Sequence, residues 1–133
     1  MNSRFRCFRV LLALLLAGEL LFAANVTLNR PYYIFPAQSL TGTTDSLAMG
    51  SIPQPPSKHT VQLTVAGSPS TCTYRLEGSL DGSLWSDLSG TQSCTASVMF
   101  HVVDKPVSWL RGNLLTLSGG SSPTVQFTYQ GGQ

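Results

Sequence analysis

Residues 72–94 read CTYRLEGSLDGSLWSDLSGTQSC, and this stretch guides the interpretation of the whole chain. Its first half alternates between apolar and polar residues with a period of two, which is typical of a strand with one buried face. Asp81-Gly82 predicts a turn, because glycine adopts a positive φ at no steric cost. Trp85 follows the turn, and Ser89-Gly90 interrupts the second strand. The stretch therefore predicts a β-hairpin with a cysteine at each end.

The first 24 residues have the pattern of a secretory signal peptide. Residues 1–9 carry three arginines, and residues 10–24 are apolar apart from Gly18 and Glu19. An uncleaved membrane anchor is the alternative, but spanning a bilayer takes about 20 apolar residues, and this run is shorter and contains a charge. We expect a secreted, extracellular protein (the periplasm or a cell surface is also possible) with no membrane contact after cleavage.

The cysteine count then indicates a disulfide. Cleavage removes Cys7 and leaves Cys72 and Cys94, an even pair in an exported chain. Both lie on the inward parity of their strands, and a hairpin folded at the turn brings them together. Closing a loop of this size stabilises a fold by about 3 kcal/mol. A metal pair is the alternative, but it needs further ligands, and His59 and His101 are isolated, so no metal is expected.

Composition limits the range of partners. The chain has 133 residues, enough for one domain, and only 11% are charged, well below the roughly one quarter of an average soluble domain. Three of the eight basic residues and one of the six acidic residues lie in the first 24 positions, so five of each remain. Because lysine and arginine dominate phosphate contacts, a neutral mature chain without a basic run argues against nucleic acid.

From residue 58 to residue 133 the alternation predicts an all-β domain, an antiparallel β-sandwich. Turn signals recur at roughly the 8–12-residue spacing of such folds, and no stretch has the pattern of a long amphipathic helix. The polar parity of the hairpin strand, with Glu77 and Ser79, is expected to face water, as is His101. The residues expected to point inward are Val61, Leu63, Val65, Cys72, Tyr74, Leu76, Leu80, Cys94, Ala96, Val98, Phe100, Val102, Leu110, Leu114, Val125, Phe127 and Tyr129.

Residues 25–57 are interpreted as an extended N-terminal arm that ends in a proline-rich linker, Pro53–Pro56. Proline is confined to sheet edges and loops, so this segment could also hold an edge strand. Its apolar run, Tyr32, Tyr33, Ile34 and Phe35, could pair with the sheet edge of a neighbouring subunit or form an edge strand of its own domain. Leu47–Ile52 is a second candidate strand, and Asn25 begins a glycosylation acceptor pattern.

Several motifs resemble those of a known fold group. LEGSLDGSLW at 76–85, WLRGN at 109–113, LSGG at 117–120 and PTV at 123–125 resemble the jelly-roll β-sandwich pattern of discoidin-like (coagulation-factor type-C-like) modules and of many small exported or phage-virion proteins. The resemblance covers residues 59–130. It implies a jelly-roll-like sandwich, and discoidin-like modules bind sugars, lipids or proteins through loops at one end.

Trp109 and Arg111 are the best candidates for binding residues. They share the parity opposite to Leu110 and Leu114, so a tryptophan beside an arginine is expected on one outer sheet face, a combination common in binding sites. The alternative is an arginine stem packed along tryptophan with no partner. Trp85 is interpreted as a packing anchor that closes the hairpin against the sandwich, which makes residues 72–94 scaffold.

The acidic and nucleophilic residues do not indicate catalysis. Asp81 fits a turn aspartate that binds its own backbone, and Glu77 and Asp87 add no carboxylate pair at a fixed separation. A triad with His101 and Asp104 is disfavoured because His101 faces outward. We expect no catalytic residue and no cofactor. The sequence favours a non-enzymatic module that binds cell-surface carbohydrate or protein. The alternative is a structural subunit of an extracellular or virion assembly that joins copies of itself through the arm.

Overall fold

Ten strands are present in the part of the chain that the computed structural model describes, residues 32–49 and 55–132. In chain order they are β1 (Tyr32–Ile34), β2 (Gly42–Thr43), β3 (Leu47–Ala48), β4 (Lys58–Ala66), β5 (Thr71–Ser79), β6 (Ser86–Asp87), β7 (Gln92–Ser93), β8 (Val98–Val102), β9 (Trp109–Ser118) and β10 (Thr124–Gly132). The predicted signal peptide, Asn25 and Pro53 lie outside the described residues.

The strands form two antiparallel sheets. A four-stranded sheet has the order β1-β10-β4-β8, and a six-stranded sheet has the order β2-β9-β5-β6, with β3 also paired to β9 and β7 to β5. From β4 onward the chain passes back and forth between the sheets, since β4, β8 and β10 belong to the four-stranded sheet and β5, β6, β7 and β9 to the six-stranded sheet. The predicted all-β antiparallel sandwich is confirmed.

The core lies between the sheets and is built by the period-two alternation of the long strands. The inward residues of β4, β5, β9 and β10 are buried as predicted: Val61, Leu63, Cys72, Tyr74, Leu76, Leu110, Leu114, Val125, Phe127 and Tyr129. Tyr74 packs on Phe127 with ring centroids 5.3 Å apart. Each large apolar side chain buried in this way contributes roughly 1.5–3 kcal/mol. The alternation therefore accounts for both the strands and the core.

The Cys72–Cys94 hairpin forms as predicted. β5 pairs with β6 at Glu77 and Asp87, and with β7 at Tyr74 and Gln92, so the second arm of the hairpin is interrupted between β6 and β7. The disulfide is confirmed, with the two Cα atoms 4.8 Å apart and both side chains buried in the core. The Cys94 amide also donates a hydrogen bond to the Cys72 carbonyl at 2.9 Å.

Three residues that were predicted to be buried are exposed. Leu80 is 74% exposed, because β5 ends at Ser79. The Ser79 hydroxyl accepts a hydrogen bond from the Gly82 amide at 2.9 Å, and the turn begins there. Ala96 is also exposed. Val98 lies opposite the buried Leu63 and so has the predicted inward parity, but it is 37% exposed at the edge of its sheet. Cys94 follows β7 at the end of the six-stranded sheet, whereas β8 begins at Val98 in the other sheet. Residues 94–102 are therefore not one continuous strand.

The described part of the N-terminal segment belongs to the sandwich. β1 forms an edge of the four-stranded sheet through β10, with Tyr33 opposite Tyr129, while β2 and β3 pair with β9. Phe35 and Met49 are buried in the core, and the Phe35 ring lies 4.7 Å from that of Phe127. Of the two interpretations of residues 32–34, the structure adopts the edge strand of its own domain.

Candidate functional site

The outer face of the six-stranded sheet gathers tryptophan, arginine and glutamate side chains. On β5 and β9 the residues of opposite parity to the core point away from it, which places Glu77 opposite Arg111 in the register of the two strands. Trp109 lies one outward position from Arg111, and Trp85 comes from the turn after β5. We call the surface formed by Arg75, Glu77, Trp85, Trp109 and Arg111 the tryptophan face.

Glu77 is the centre of a hydrogen-bonded ion-pair network on this face. Its Oε1 accepts hydrogen bonds from Arg75 Nε at 2.7 Å and from Asn113 Nδ2 at 2.8 Å, and its Oε2 accepts one from Arg111 Nε at 2.8 Å. The prediction that Glu77 and Ser79 face water is wrong, since each residue is only 3% exposed. An outward position on a sheet becomes buried when long neighbouring side chains fold over it.

The network keeps Glu77 ionised. Burial alone raises the pKa of its carboxyl group. The hydrogen bonds from Asn113, Arg111 and Arg75 outweigh that cost and hold the Glu77 pKa below its ordinary value. The face therefore carries one fixed negative charge, shielded by two guanidinium groups.

Arg111 joins this network to Trp85. Its Cζ atom lies 4.0 Å from the centroid of the Trp85 ring, within cation–π distance. Trp85 is half-buried and lies outside the core cluster, so it does not close the hairpin against the core as its position after the turn predicts. The sequence placed Trp109 beside Arg111 on the outer face, and the structure adds Trp85, whose ring lies over the guanidinium group.

The turn between β5 and β6 positions Trp109. Asp81 Oδ1 accepts hydrogen bonds from the amides of Ser83 and Leu84 at 2.8 and 2.9 Å, which confirms the predicted role of Asp81 as a turn residue. The amides of Leu84 and Ser83 lower the Asp81 pKa. Gly82 adopts φ +76°, and a Cβ atom there would lie 3.2 Å from Trp109 Cε2. The turn backbone thus rests against the indole and fixes one side of it.

A shallow groove adjoins the face at the same end of the sandwich. It has a volume of about 350 Å³, and the exposed side chains of Leu80 and Leu84 stand beside it together with Pro106. Its other lining residues are Gly78, Ser79, Asp81, Ser86, Leu88 and Val107. The hairpin turn therefore borders both the tryptophan face and an apolar groove.

The two histidines lie apart from the tryptophan face. His59 is buried in the core, with Nδ1 2.9 Å from the Tyr129 hydroxyl and Nε2 2.8 Å from the Lys105 carbonyl, and burial lowers its pKa. His101 is exposed, as predicted, and lies 3.0 Å from the Thr60 hydroxyl. Across residues 32–49 and 55–132, no three histidine, cysteine, aspartate or glutamate side chains cluster closely enough to hold a metal ion.

Sequence reasoning selected two of the five residues of the tryptophan face as binding candidates and gave the other three no binding role. It selected Trp109 and Arg111 from their shared outward parity, and it treated Glu77 and Trp85 as surface and packing residues. A signal for Glu77 was present, because Arg75 precedes it by two positions on the same face and Arg111 is followed by Asn113 at the same spacing. Trp85 had no such signal, since its contact with Arg111 joins residues 26 positions apart in the sequence.

Comparisons with known proteins identify the fold. No protein-family model and no curated protein matches the chain. The SPBc2 prophage-derived protein YomS matches with a TM-score of 0.55 at 7% identity, over 77% of this chain and 92% of YomS. This is the jelly-roll-like sandwich that the motifs suggested. The C-terminal domain of a chitobiase from Bacteroides fragilis matches with a TM-score of 0.50 at 13% identity, over 81% of this chain and 76% of that domain.

A third solved structure comes from a discoidin-like module. CBM32-3 from a family 31 glycoside hydrolase of Clostridium perfringens matches with a TM-score of 0.48 at 11% identity, over 76% of this chain and 75% of the module. At these identities the likeness concerns the path of the chain alone. Among the residues that the structure describes, none belongs to a helix with the length and apolar character that a membrane crossing requires.

Proposed function

We propose that the protein is a secreted, non-enzymatic binding module that takes carbohydrate on its tryptophan face. The observation that carries the proposal is the stacked pair of Trp85 and Arg111 beside Trp109, on a sheet face held by a buried ion-pair network. The disulfide between Cys72 and Cys94 is consistent with an extracellular protein.

The chemistry of sugars suits such a face. A pyranose ring has an apolar face of C–H groups that packs on an indole, and an edge of hydroxyl groups that accepts hydrogen bonds from a guanidinium. Trp85 and Trp109 are both half-buried, so each retains ring surface while the protein restricts its motion. Arg111 is held by Glu77 and Trp85 together. Groups held in place before binding lose little conformational entropy on binding, which favours affinity.

The acidic residues near the face support binding without catalysis. A general acid in glycoside hydrolysis needs a raised pKa, whereas the pKa values of Glu77 and Asp81 are lowered. Asp87 Oδ1 accepts hydrogen bonds from the amides of Ser89 and Gly90 at 3.0 and 2.8 Å, so this carboxylate also stabilises a turn. We therefore propose that these carboxylates shape the site.

Affinity gel electrophoresis with a panel of soluble polysaccharides tests the proposal. We expect at least one polysaccharide to retard the wild-type protein, and Trp85→Ala and Trp109→Ala each to weaken that retardation at least tenfold. Gln62→Ala, on the exposed face of β4 in the other sheet, is the matched control and should bind as the wild type does. The proposal fails if no polysaccharide retards the protein, or if both tryptophan variants bind as tightly as the wild type. If a protein incorporated in the gel retards the chain and no polysaccharide does, the result supports a protein-binding module instead.

A second candidate, a structural subunit that joins copies of itself through Tyr32–Phe35, is favoured by the position of β1. This strand lies at the edge of its sheet, and Tyr32 and Ile34 are exposed there. Edge strands with free backbone groups can pair with a neighbouring chain. Sedimentation velocity would then show large oligomers that Ile34→Lys converts to monomers. A wild-type protein that sediments as a monomer excludes this candidate.

A further inference from the structure

The charges on the tryptophan face are buried unequally. The Glu77 side chain is 4% exposed, whereas those of Arg75 and Arg111 are 35% and 25% exposed. Two guanidinium groups against one carboxylate leave one positive charge in excess. Because the carboxylate lies beneath the guanidinium groups, an approaching ligand meets the positive charges first.

Arg111 retains hydrogen-bond donors for a ligand. It binds Glu77 through Nε, and within residues 32–49 and 55–132 its two terminal nitrogens donate no hydrogen bond to the protein. Those nitrogens carry four N–H groups in one plane, an arrangement that matches the two oxygens of a carboxylate. The contacts of Arg111 with Glu77 and with the Trp85 ring hold this plane in place before a ligand arrives.

Two further carboxylates lie at the border of the face. Asp81 belongs to the turn that rests against Trp109, and its Oδ1 accepts hydrogen bonds from the Ser83 and Leu84 amides. Asp87 is the cross-strand partner of Glu77 and is exposed. Its Oδ1 is engaged by the Ser89 and Gly90 amides, and neither Arg75 nor Arg111 forms an ion pair with it. Counted together, the acidic residues cancel the positive charge of the face in number, but among the described residues none of them besides Glu77 pairs with an arginine. The guanidinium group of Arg111 therefore stays available, and Asp87 should repel an anionic ligand from one side.

We propose that the ligand of the tryptophan face is an acidic glycan, in which a sugar carboxylate binds Arg111 while the ring of that sugar or its neighbour packs on Trp85. This inference rests on the proposed carbohydrate-binding function and specifies its ligand class. A carboxylate fits better than a neutral hydroxyl pair, because it matches both the positive charge and the planar donors of the partly exposed Arg111 guanidinium. Arg75 adds a second positive charge on the same side of the sheet.

Paired probes that differ only in charge test the ligand class. Isothermal titration calorimetry compares oligogalacturonate and oligoglucuronate with the same oligosaccharides after reduction of their carboxyl groups to alcohols. We expect one of the acidic probes to bind at least tenfold more tightly than its reduced form at low salt. This advantage should shrink as sodium chloride rises from about 20 to about 500 mM, since salt screens charge interactions.

Three variants locate the effect. Arg111→Gln should abolish the difference between the acidic and the reduced probe. Lys58→Gln removes the same charge from an exposed position on the four-stranded sheet and should preserve that difference. Asp87→Asn retains an oxygen for the Ser89 and Gly90 amides and should raise the affinity for the acidic probe severalfold.

The outcomes separate this inference from the function on which it rests. If the reduced probes bind as tightly as the acidic ones, or only neutral polysaccharides bind, the acidic-glycan inference is wrong and carbohydrate binding stands. If polyglutamate binds as tightly as the acidic oligosaccharides, the face recognises acidic polymers in general and the inference is also wrong. If no glycan of either kind binds, both proposals fail. The comparison on the wild-type protein requires no variant to fold.

Discussion

The two sheets of the sandwich differ on their outer faces far more than in their construction. On the four-stranded sheet Lys58, at the start of β4, is the one charged outward residue of β4 and β10, and the others are short or neutral: Thr60, Gln62, Thr64, Gln126, Thr128 and Gln130. On the six-stranded sheet the corresponding positions of β5 and β9 carry Arg75, Glu77, Trp109, Arg111 and Asn113. Both sheets are antiparallel and follow the same period of two. Alternation decides the fold, and the identity of the outward residues decides which face can bind.

The disulfide is a feature of the six-stranded sheet, and its removal should have the largest effect on stability. We expect Cys72→Ser/Cys94→Ser to lower the free energy of unfolding by about 3.4 kcal/mol, because the unfolded chain regains the freedom of a loop closed over 22 positions. Urea denaturation measures the loss. Hydrogen exchange should show β5 and β7 losing protection before β4 and β10, and equal loss in both sheets would contradict this view of the hairpin.

The Glu77 network should be the next largest contributor. Glu77→Gln leaves Arg75 and Arg111 without their counter-charge, and we expect a loss of about 3 kcal/mol, the low end of the range for breaking a buried pair, since both guanidinium groups are partly exposed. Gln62→Ala on the other face is the matched control and should change the free energy of unfolding by less than about 0.5 kcal/mol. Equal costs for the two variants would remove the contrast between the faces.

A smaller effect on stability should depend on pH and come from His59 on the four-stranded sheet. His59 is buried on the inner side of β4, and burial lowers its pKa below the ordinary value of 6.5, although the hydrogen bond with the Lys105 carbonyl acts in the opposite direction. The unfolded chain therefore binds a proton first, so stability is full above about pH 6.5 and declines as the pH falls below it. We expect His59→Gln to flatten this decline in urea denaturation measured at a series of pH values.

Glu77 should add a second decline at lower pH. The hydrogen bonds from Asn113, Arg111 and Arg75 hold its pKa in the folded protein below the ordinary value of 4.5. Its contribution to stability is therefore full above about pH 4.5 and is lost as the pH falls through the lower pKa of the folded protein. Glu77→Gln should remove the decline in stability at lower pH and leave the decline caused by His59 unchanged. A single acid transition that neither variant alters would show that other groups control stability in acid.

The sequence predicted the interior well and the outer face incompletely. Inward residues such as Leu63, Tyr74 and Phe127 could be identified because local alternation alone places them. Leu80 was misplaced because the hydrogen bonds of Ser79 end the strand one residue earlier, which alternation does not encode. Residues 94–102 were misread because the chain changes sheet between Cys94 and Val98.

The composition of the tryptophan face was only partly predictable for a related reason. Parity places Trp109 and Arg111 outward correctly, but parity does not show that long side chains from a neighbouring strand bury an outward residue. Glu77 is buried by Arg111 and Asn113, which lie 34 and 36 positions away in the sequence. Trp85 reaches Arg111 only after the turn has folded. Side-chain networks between distant strands are a property of the assembled sheet.

The indole signals of the protein in solution test the central claim most directly. The chain contains only two tryptophans, and both lie on the tryptophan face. In a titration with oligogalacturonate followed by ¹⁵N–¹H correlation spectra, we expect both indole N–H signals and the Arg111 side-chain signal to shift with one common affinity, while the Gln62 and Gln126 amides stay in place. Unchanged indole signals, with shifts confined to the four-stranded sheet or to β1, would contradict the claim that the tryptophan face is the binding site.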